Sequence, residues 1–320
     1  MPDIRPFCNT DPPAVVSVWQ RCAAQAGLAL PVSVDLFERL VFSKLYFPQG
    51  RLFLAFDGET PIGLAHAAFG PNDEHSWISP ESGIVCMLLV CPEWPDRPGL
   101  AADLLAACER FLIGQGATTI QGGAAPGCAP FYAGLYGGSF PPGVFECDEV
   151  ACTAFEASGY QRAGRMLAHQ RSLEDFRPIV DRQMIQLRRA TELKTIIDPA
   201  SRNRWEAMTI GEFDLTRFEL ATRRPAATVA SLTVRDMGPP APHLPGPAAG
   251  VLDLFVDEAH RRQGMATFLL SESLKQLMQQ GIGSVQVHVS DDSPAGMALC
   301  RKLGLEPSGT AVRFLRTVAT

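Results

Sequence analysis

The stretch His260-Arg261-Arg262-Gln263-Gly264-Met265-Ala266 sets two guanidinium groups and a glycine directly ahead of an apolar-periodic run. If a helix starts there, its first N–H groups lack partners and carry about half a positive charge. A diphosphate can lie across such an end, and glycine lets the backbone come close to it. Arg261 and Arg262 add cationic donors, Thr267 a hydroxyl, and Ala266 little bulk. The competing reading is a solvated basic loop ahead of an ordinary helix.

Two further side chains could move protons. Asp253 interrupts the apolar run Val251–Val256. In a strand it shares a face with Phe255, while Leu252, Leu254 and Val256 take the other. A carboxylate there must find a partner or face a wet cleft, so it reads either as a proton acceptor or as an Asp bonded to nearby backbone or arginine. His288 alternates with valines, sharing a face with Gln286 and Ser290. Its ordinary pKa of about 6.5 suits a proton acceptor, and the alternative is a half-exposed strand histidine.

The elements that must position these residues occur twice. Residues 82–120 and 249–287 each run from an apolar strand through a polar turn ending in Gly-x-Ala to an amphipathic helix, then Gln-Gly and a second β-rich run. Gly99 matches Gly264, and Ala101 matches Ala266. Ala101, Leu104, Leu105, Cys108, Phe111 and Leu112 make one helical stripe, and Ala266, Leu270, Leu274, Leu277 and Met278 the other. Gly116 and Gly281 stand where a left-handed helix stop belongs. Such a strand–turn–helix–strand unit implies a parallel strand pair. Asp3–Pro6 and Ile185–Arg188 read as short extended openings, and 11–26 and 199–208 as helices. Residues 51–57 with 61–69, and 212–221 with 227–236, read as hairpins. The polar stretch around Pro178 reads as a linker.

This layout resembles the GNAT (Gcn5-related N-acetyltransferase) superfamily, carried by Arg261-x-x-Gly264-x-Ala266 after the strand phrase Leu254-Phe255-Val256, and by residues 290–309 as a closing helix. It resembles tandem proteins of the mycothiol-synthase type. The resemblance implies an α/β fold, α+β in its mixed sheets: two tandem GNAT-like domains, each a mostly antiparallel sheet with a splayed parallel pair and flanking helices. The domains are 1–172, degenerate; 173–182, a linker; and 183–320, bearing the acetyl-CoA signature. It implies acetyl-CoA held by Leu254, Phe255, Val256, Arg261, Arg262, Gln263, Gly264, Met265, Ala266, Thr267 and Ser293. It implies direct attack of an amine on the thioester, with Asp253 or His288 as base or amine-orienting group. The family's tyrosine acid is replaced by Cys300, a candidate proton donor or a packed helix cysteine. Ser293, ahead of Pro294, replaces a frequent asparagine and suits an N-cap. In the first copy Asp96 replaces the leading arginine, Pro98 removes an N–H, and Phe155 takes the tyrosine position. Only the second copy is therefore expected to bind acetyl-CoA.

Two segments stand outside the repeat. Residues 129–143 are aromatic and glycine-rich; Phe131, Tyr132, Leu135 and Tyr136 would share a helical face, walling a cleft, clamping the other domain or packing over the first site. Residues 238–249 hold five prolines and read as a stiff connection.

Composition narrows the function classes. A chain of 320 residues suits about two domains of roughly 150 each. Its 46% hydrophobic and 19% charged residues suit buried cores. A net charge of −6 argues against a nucleic-acid partner. Nine cysteines without a Cys-x-x-Cys pair read as reduced thiols, with no metal site. No 18-residue apolar run or signal-like start is seen, so no membrane partner and a cytoplasmic location are expected. The expected protein is an N-acetyltransferase, monomer or homodimer, acting on a small-molecule or peptide amine. The alternative is a catalytically impaired acyl-CoA-binding or interaction module.

Overall fold

The computed structural model describes residues 2–135, 139–238 and 246–318. The first half runs β1 (Asp3–Pro6), α1 (Pro12–Ala26), α2 (Val34–Phe37), β2 (Arg51–Asp57), β3 (Thr60–Pro71), β4 (Ile78–Val90), α3 (Arg97–Gly114), β5 (Thr119–Gly122), β6 (Val144–Phe145), α4 (Glu149–Ala157) and β7 (Gln161–Ser172). The second runs α5 (Arg182–Ala190), β8 (Thr191–Ile197), α6 (Arg204–Ile210), β9 (Leu215–Arg223), β10 (Ala226–Asp236), β11 (Ala248–Val256), α7 (Met265–Gln279), β12 (Ser284–Ser290), α8 (Pro294–Lys302) and β13 (Glu306–Thr317). Among the described residues no helix is long and apolar enough to cross a membrane.

The strands join one sheet in the order β1-β2-β3-β4-β5-β13-β7-β12-β11-β10-β9-β8, with β6 paired to β13. Each half contributes one parallel pair, β4 with β5 and β11 with β12. The halves exchange their last long strands. Phe314 of β13 lies opposite Gly122 of β5, and His169 of β7 opposite Val287 of β12. β7 and β13 then pair antiparallel at the seam. Each parallel pair is thus flanked by a strand from the other half, which covers two edges that would otherwise be open to pairing.

Helices cover both faces. Trp19 of α1 packs with Leu54 of β2 on one face of the first half, and Leu104, Leu105 and Cys108 of α3 fill the other. In the second half α7 buries Leu269, Leu270 and Leu274 against Phe218, Leu232 and Val285. Each fully buried side chain of this size contributes about 1.5–3 kcal/mol. The helix stops stand where expected, with φ 102° at Gly116 and 90° at Gly281.

The structure corrects three sequence expectations. Ile185–Arg188 is helical, inside α5: Asp181 caps it by accepting from the Met184 N–H at 2.8 Å, and Met184 and Leu187 bury one face at i, i+3 spacing. The strand opening of the second half is β8. The next helix begins at Arg204, because Asn203 and not the Pro199 region supplies the cap, accepting from the Glu206 N–H at 2.9 Å. Residues 131–135 form turns rather than a helix, since Tyr132 (φ 69°) and Gly134 (φ 84°) occupy the left-handed region. Phe131, Tyr132 and Leu135 are buried in the first half's core. Tyr136 and residues 239–245 lie outside the described residues.

Candidate active site

The two parallel pairs are built alike and end differently. β4 pairs with β5 from Ser82 to Val85, and β11 with β12 from Ala248 to Val251. Immediately beyond, one residue on the first strand of each pair has no opposite number, Cys86 in the first half and Leu252 in the second. Such a bulge bends the strand and sharpens its twist. The strands then diverge, leaving a wedge. Superposing the bulges sets Asp253 on Met87 and His288 on Gly123.

In the first half the wedge is filled. Only about 20 Å³ remains, walled by Val144, Phe145 and Phe155 among others. Gly122 permits this, because a Cβ there would stand 2.6 Å from the Phe155 ring. The adjoining helix end is occupied too. The Asp96 carboxylate accepts from the Gly99 N–H at 3.0 Å, capping α3 with its own charge. That cap is worth about 1 kcal/mol to the helix, and it sets a carboxylate where an anion would bind.

In the second half the wedge opens into a groove of about 640 Å³. Leu254, Phe255 and Val256 form one wall, and Met265, Ala266 and Thr267 present the start of α7. No side chain caps that 15-residue helix. Gly264 stands at φ 78°, a conformation that favours glycine, and turns the chain into the helix. A Cβ there would stand 3.0 Å from the Gln183 side chain, whose Nε2 donates to the Gln263 carbonyl at 3.1 Å. Arg261, Arg262 and Lys302 line the groove, and among the described residues no acidic one does. Arg261 Nε donates to the Val256 carbonyl at 3.2 Å, which fixes the stem while its side chain stays 56% exposed.

Ten of the eleven sequence candidates for cofactor contact line this groove. Gln263 does not, because its Nε2 donates to the Ala259 carbonyl at 3.0 Å and closes the loop on itself. Ser293 lines it while capping α8, accepting from the Gly296 N–H at 3.2 Å. His260 and Lys302 were missed. A readable signal existed for Lys302, since Ala295, Ala298, Leu299 and Lys302 follow i, i+3, i+4, i+7 spacing along α8.

The three proton-transfer candidates separate. Asp253 faces a second cavity of about 490 Å³ between the halves, shared with Arg202, Glu206 and Trp205 of the second half and with His75, Ala133 and Phe140 of the first. The Arg202 guanidinium lies 3.3 Å from its carboxylate. His288 lines neither cavity. Its Nδ1 is 3.3 Å from Ser139 Oγ, its Nε2 is sealed from solvent with no partner among the described residues, and burial, with Arg235 and His169 nearby, lowers its pKa to about 4. It is a neutral imidazole at the seam, away from both cavities. Cys300 points into the core beneath α8, 2% exposed, and burial raises its thiol to about 11. Residue 300 falls off the groove-facing stripe of α8, so the thiol is not brought to the groove.

The cavity between the halves is held by first-half side chains that sequence gave no reason to single out. Lys44 is ion-paired with Glu212, and its Nζ donates to the Met208 and Thr209 carbonyls, at 3.2 and 3.3 Å, at the end of α6. The His75 carbonyl accepts from the Trp205 N–H at 3.0 Å, and Tyr46 stacks on Trp205 at 4.9 Å. Ala129, Ala133, Phe140 and Pro141 complete the wall. The aromatic, glycine-rich segment thus packs into the first half and also faces the second.

Comparison with known proteins bears on the fold. Residues 200–305 match the family described as the acetyltransferase (GNAT) family. A tandem GNAT protein from the clavulanic acid biosynthesis pathway, solved without AcCoA, aligns over 100% of this chain and 99% of its own, at 16% identity and a TM-score of 0.68. A GCN5-related N-acetyltransferase from Sphaerobacter thermophilus aligns over 100% and 96%, at 15% identity and a TM-score of 0.67. A glucosamine N-acetyltransferase region of a fungal multi-domain β-N-acetylglucosaminidase covers 99% of this chain and 38% of its own, at 14% identity and a TM-score of 0.72. Among curated protein sequences nothing matches.

Proposed function

We propose that the protein transfers an acetyl group from acetyl-CoA to a primary amine, with the cofactor in the groove of the second half alone, a reading supported by the match of residues 200–305 to the acetyltransferase (GNAT) family and by the likeness of the fold to a tandem GNAT protein. The observation that carries this reading is the uncapped start of α7, set beside three cationic side chains and no acidic ones. An anion of diphosphate type gains the helix N–H groups, the helix dipole and the guanidinium donors together.

When bound, acetyl-CoA supplies an activated thioester, whose C–S bond breaks as the amine nitrogen forms the new C–N bond. An incoming ammonium must lose two protons, one to solvent and one to the departing sulfur. Asp253, at the junction of the two cavities, attracts the ammonium and leads the first proton to solvent. Backbone N–H groups of β11 beyond the bulge face the wedge and can polarise the acyl carbonyl. A CoA-type thiol has an ordinary pKa of about 8.5, so the sulfur can depart as thiolate and take its proton from water. Neither Cys300 nor His288 is required.

The test is calorimetric titration of acetyl-CoA into the full chain, followed by thiol release on adding amines. One binding site and amine-dependent release are expected. Absence of binding refutes the proposal; binding without release for any amine leaves an acyl-CoA-binding module.

A further inference from the structure

The cavity between the halves has its own chemistry. Its walls are largely apolar, with Pro126, Ala133, Phe140, Trp205, Ile210 and Leu252 contributing. Its charges are two carboxylates, Glu206 and Asp253, against one guanidinium, Arg202. Arg202 spans both, with Nη2 at 3.2 Å from Glu206 Oε1 and Nη1 at 3.3 Å from Asp253 Oδ2. Yet its side chain is 61% exposed, whereas that of Glu206 is 14% exposed. Arg202 Nε also donates to the Glu206 carboxylate, at 3.3 and 3.2 Å to Oε1 and Oε2, but the exposed guanidinium is screened by solvent and can exchange this pairing for water. Glu206 cannot follow it. Its Oε2 accepts from the Arg202 backbone N–H at 2.6 Å, and its own N–H is held by Asn203. Removal of the guanidinium leaves Glu206 Oε1, held in place, and Asp253 Oδ2 as two acceptors in a cavity with apolar walls.

We propose that this cavity takes the acceptor as an apolar-bodied primary monoamine, whose ammonium replaces the Arg202 guanidinium between Glu206 and Asp253. The assignment rests on the transferase reading above. It also gives the first half a role, since Ala133, Phe140 and His75 build one wall of the site. Position supports it as well. Asp253 faces this cavity, and the next residue, Leu254, lines the groove, so one strand step joins the two. A second ammonium or a sugar-like body would meet apolar wall, and a carboxylate would meet Glu206 and Asp253.

The test measures binding of phenethylamine to the full chain by calorimetry, at neutral pH with CoA present. 2-Phenylethanol and L-phenylalanine serve as neutral and zwitterionic counterparts. Saturable binding of phenethylamine is expected, at least tenfold tighter than either counterpart. Asp253→Asn should weaken it at least tenfold, and Arg202→Gln should tighten it by removing the competing cation. Acetyl-CoA affinity measured on the same samples reports on folding and tests the transferase reading separately; amine binding without CoA binding would keep the cavity assignment and remove the transferase. The assignment is overturned if phenethylamine does not bind, if 2-phenylethanol binds equally well, or if Asp253→Asn has no effect. Tighter binding of phenylalanine, lost in Arg202→Gln, would overturn it by making Arg202 a carboxylate holder.

Discussion

Replacing Arg261 by alanine probes the groove most directly. Its guanidinium lies beside the uncapped start of α7, anchored by one bond to the Val256 carbonyl. Glu258 stands 3.9 Å away and is itself 90% exposed, so it neutralises Arg261 only weakly. The remaining donors are free to meet a phosphate. A hydrogen bond to a charged group contributes about 1.5–3 kcal/mol, which is about a 10- to 150-fold change in affinity. Because the side chain is 56% exposed, screening by salt places the effect near the lower end. Arg261→Ala should therefore raise the dissociation constant of acetyl-CoA by at least about tenfold, and the loss should shrink as ionic strength rises. Asp96→Ala, at the corresponding helix start of the first half, should leave the affinity and the single-site stoichiometry unchanged while costing about 1 kcal/mol of stability. Titration calorimetry reads the affinity and the stoichiometry, and urea melts read the stability. An unchanged affinity in Arg261→Ala, or a second site appearing at any salt concentration, would refute the assignment of the groove.

Other expectations follow from the same geometry. Cys300→Ala should leave amine-dependent thiol release within about twofold of wild type and lower stability by about 0.5–1.5 kcal/mol, the cost of one buried heavy atom; a tenfold rate loss would restore the thiol to the chemistry. His66 is fully buried, and burial lowers its pKa to about 3, so the unfolded chain takes a proton that the folded one refuses. Its contribution is present above about pH 6.5 and is lost as the pH falls, on the order of 3 kcal/mol by pH 4.5; urea melts at the two pH values should show this, and His66→Gln should flatten the difference. The exchanged strands predict that residues 1–172 and 173–320, expressed separately, aggregate through the open edges of β5 and β12, and that co-expression recovers a one-to-one complex in size-exclusion chromatography. Two soluble, folded, independent halves would contradict that.

What the sequence revealed and what it hid have separate physical causes. The repeat, the helix stops and the groove residues depend on local rules, such as helical period, glycine at positive φ and the character of a helix N-terminus, and each leaves a mark within a few residues. Cys300 was displaced from its expected position because one step along α8 turns a side chain by about 100°, from the groove to the core. His288 was placed on the correct face of its strand, with Gln286 and Ser290, but that face is covered near Ser139 by the first half. No local pattern reports such a cover. The strand exchange and the wall of the second cavity were equally hidden, because contacts between Lys44 and α6, or between β13 and β5, join segments more than 160 residues apart.

The difference between the halves also explains why a duplicated chain should have one groove. The first half is closed at both ends of the wedge. Gly122 makes room for Phe155, and Phe145 fills what is left. Asp96 satisfies the helix start that an anion would otherwise satisfy. Either closure alone would leave a partial site, with apolar space or free N–H groups exposed. Together they make this end of the first half part of its core, and a core is rigid. That rigidity is what the second half uses. Tyr46, Lys44 and the His75 carbonyl hold α6, a helix of only seven residues, which is too short to hold its position without tertiary support. The closed wedge of the first half and the shape of the second cavity are thus two sides of the same packing.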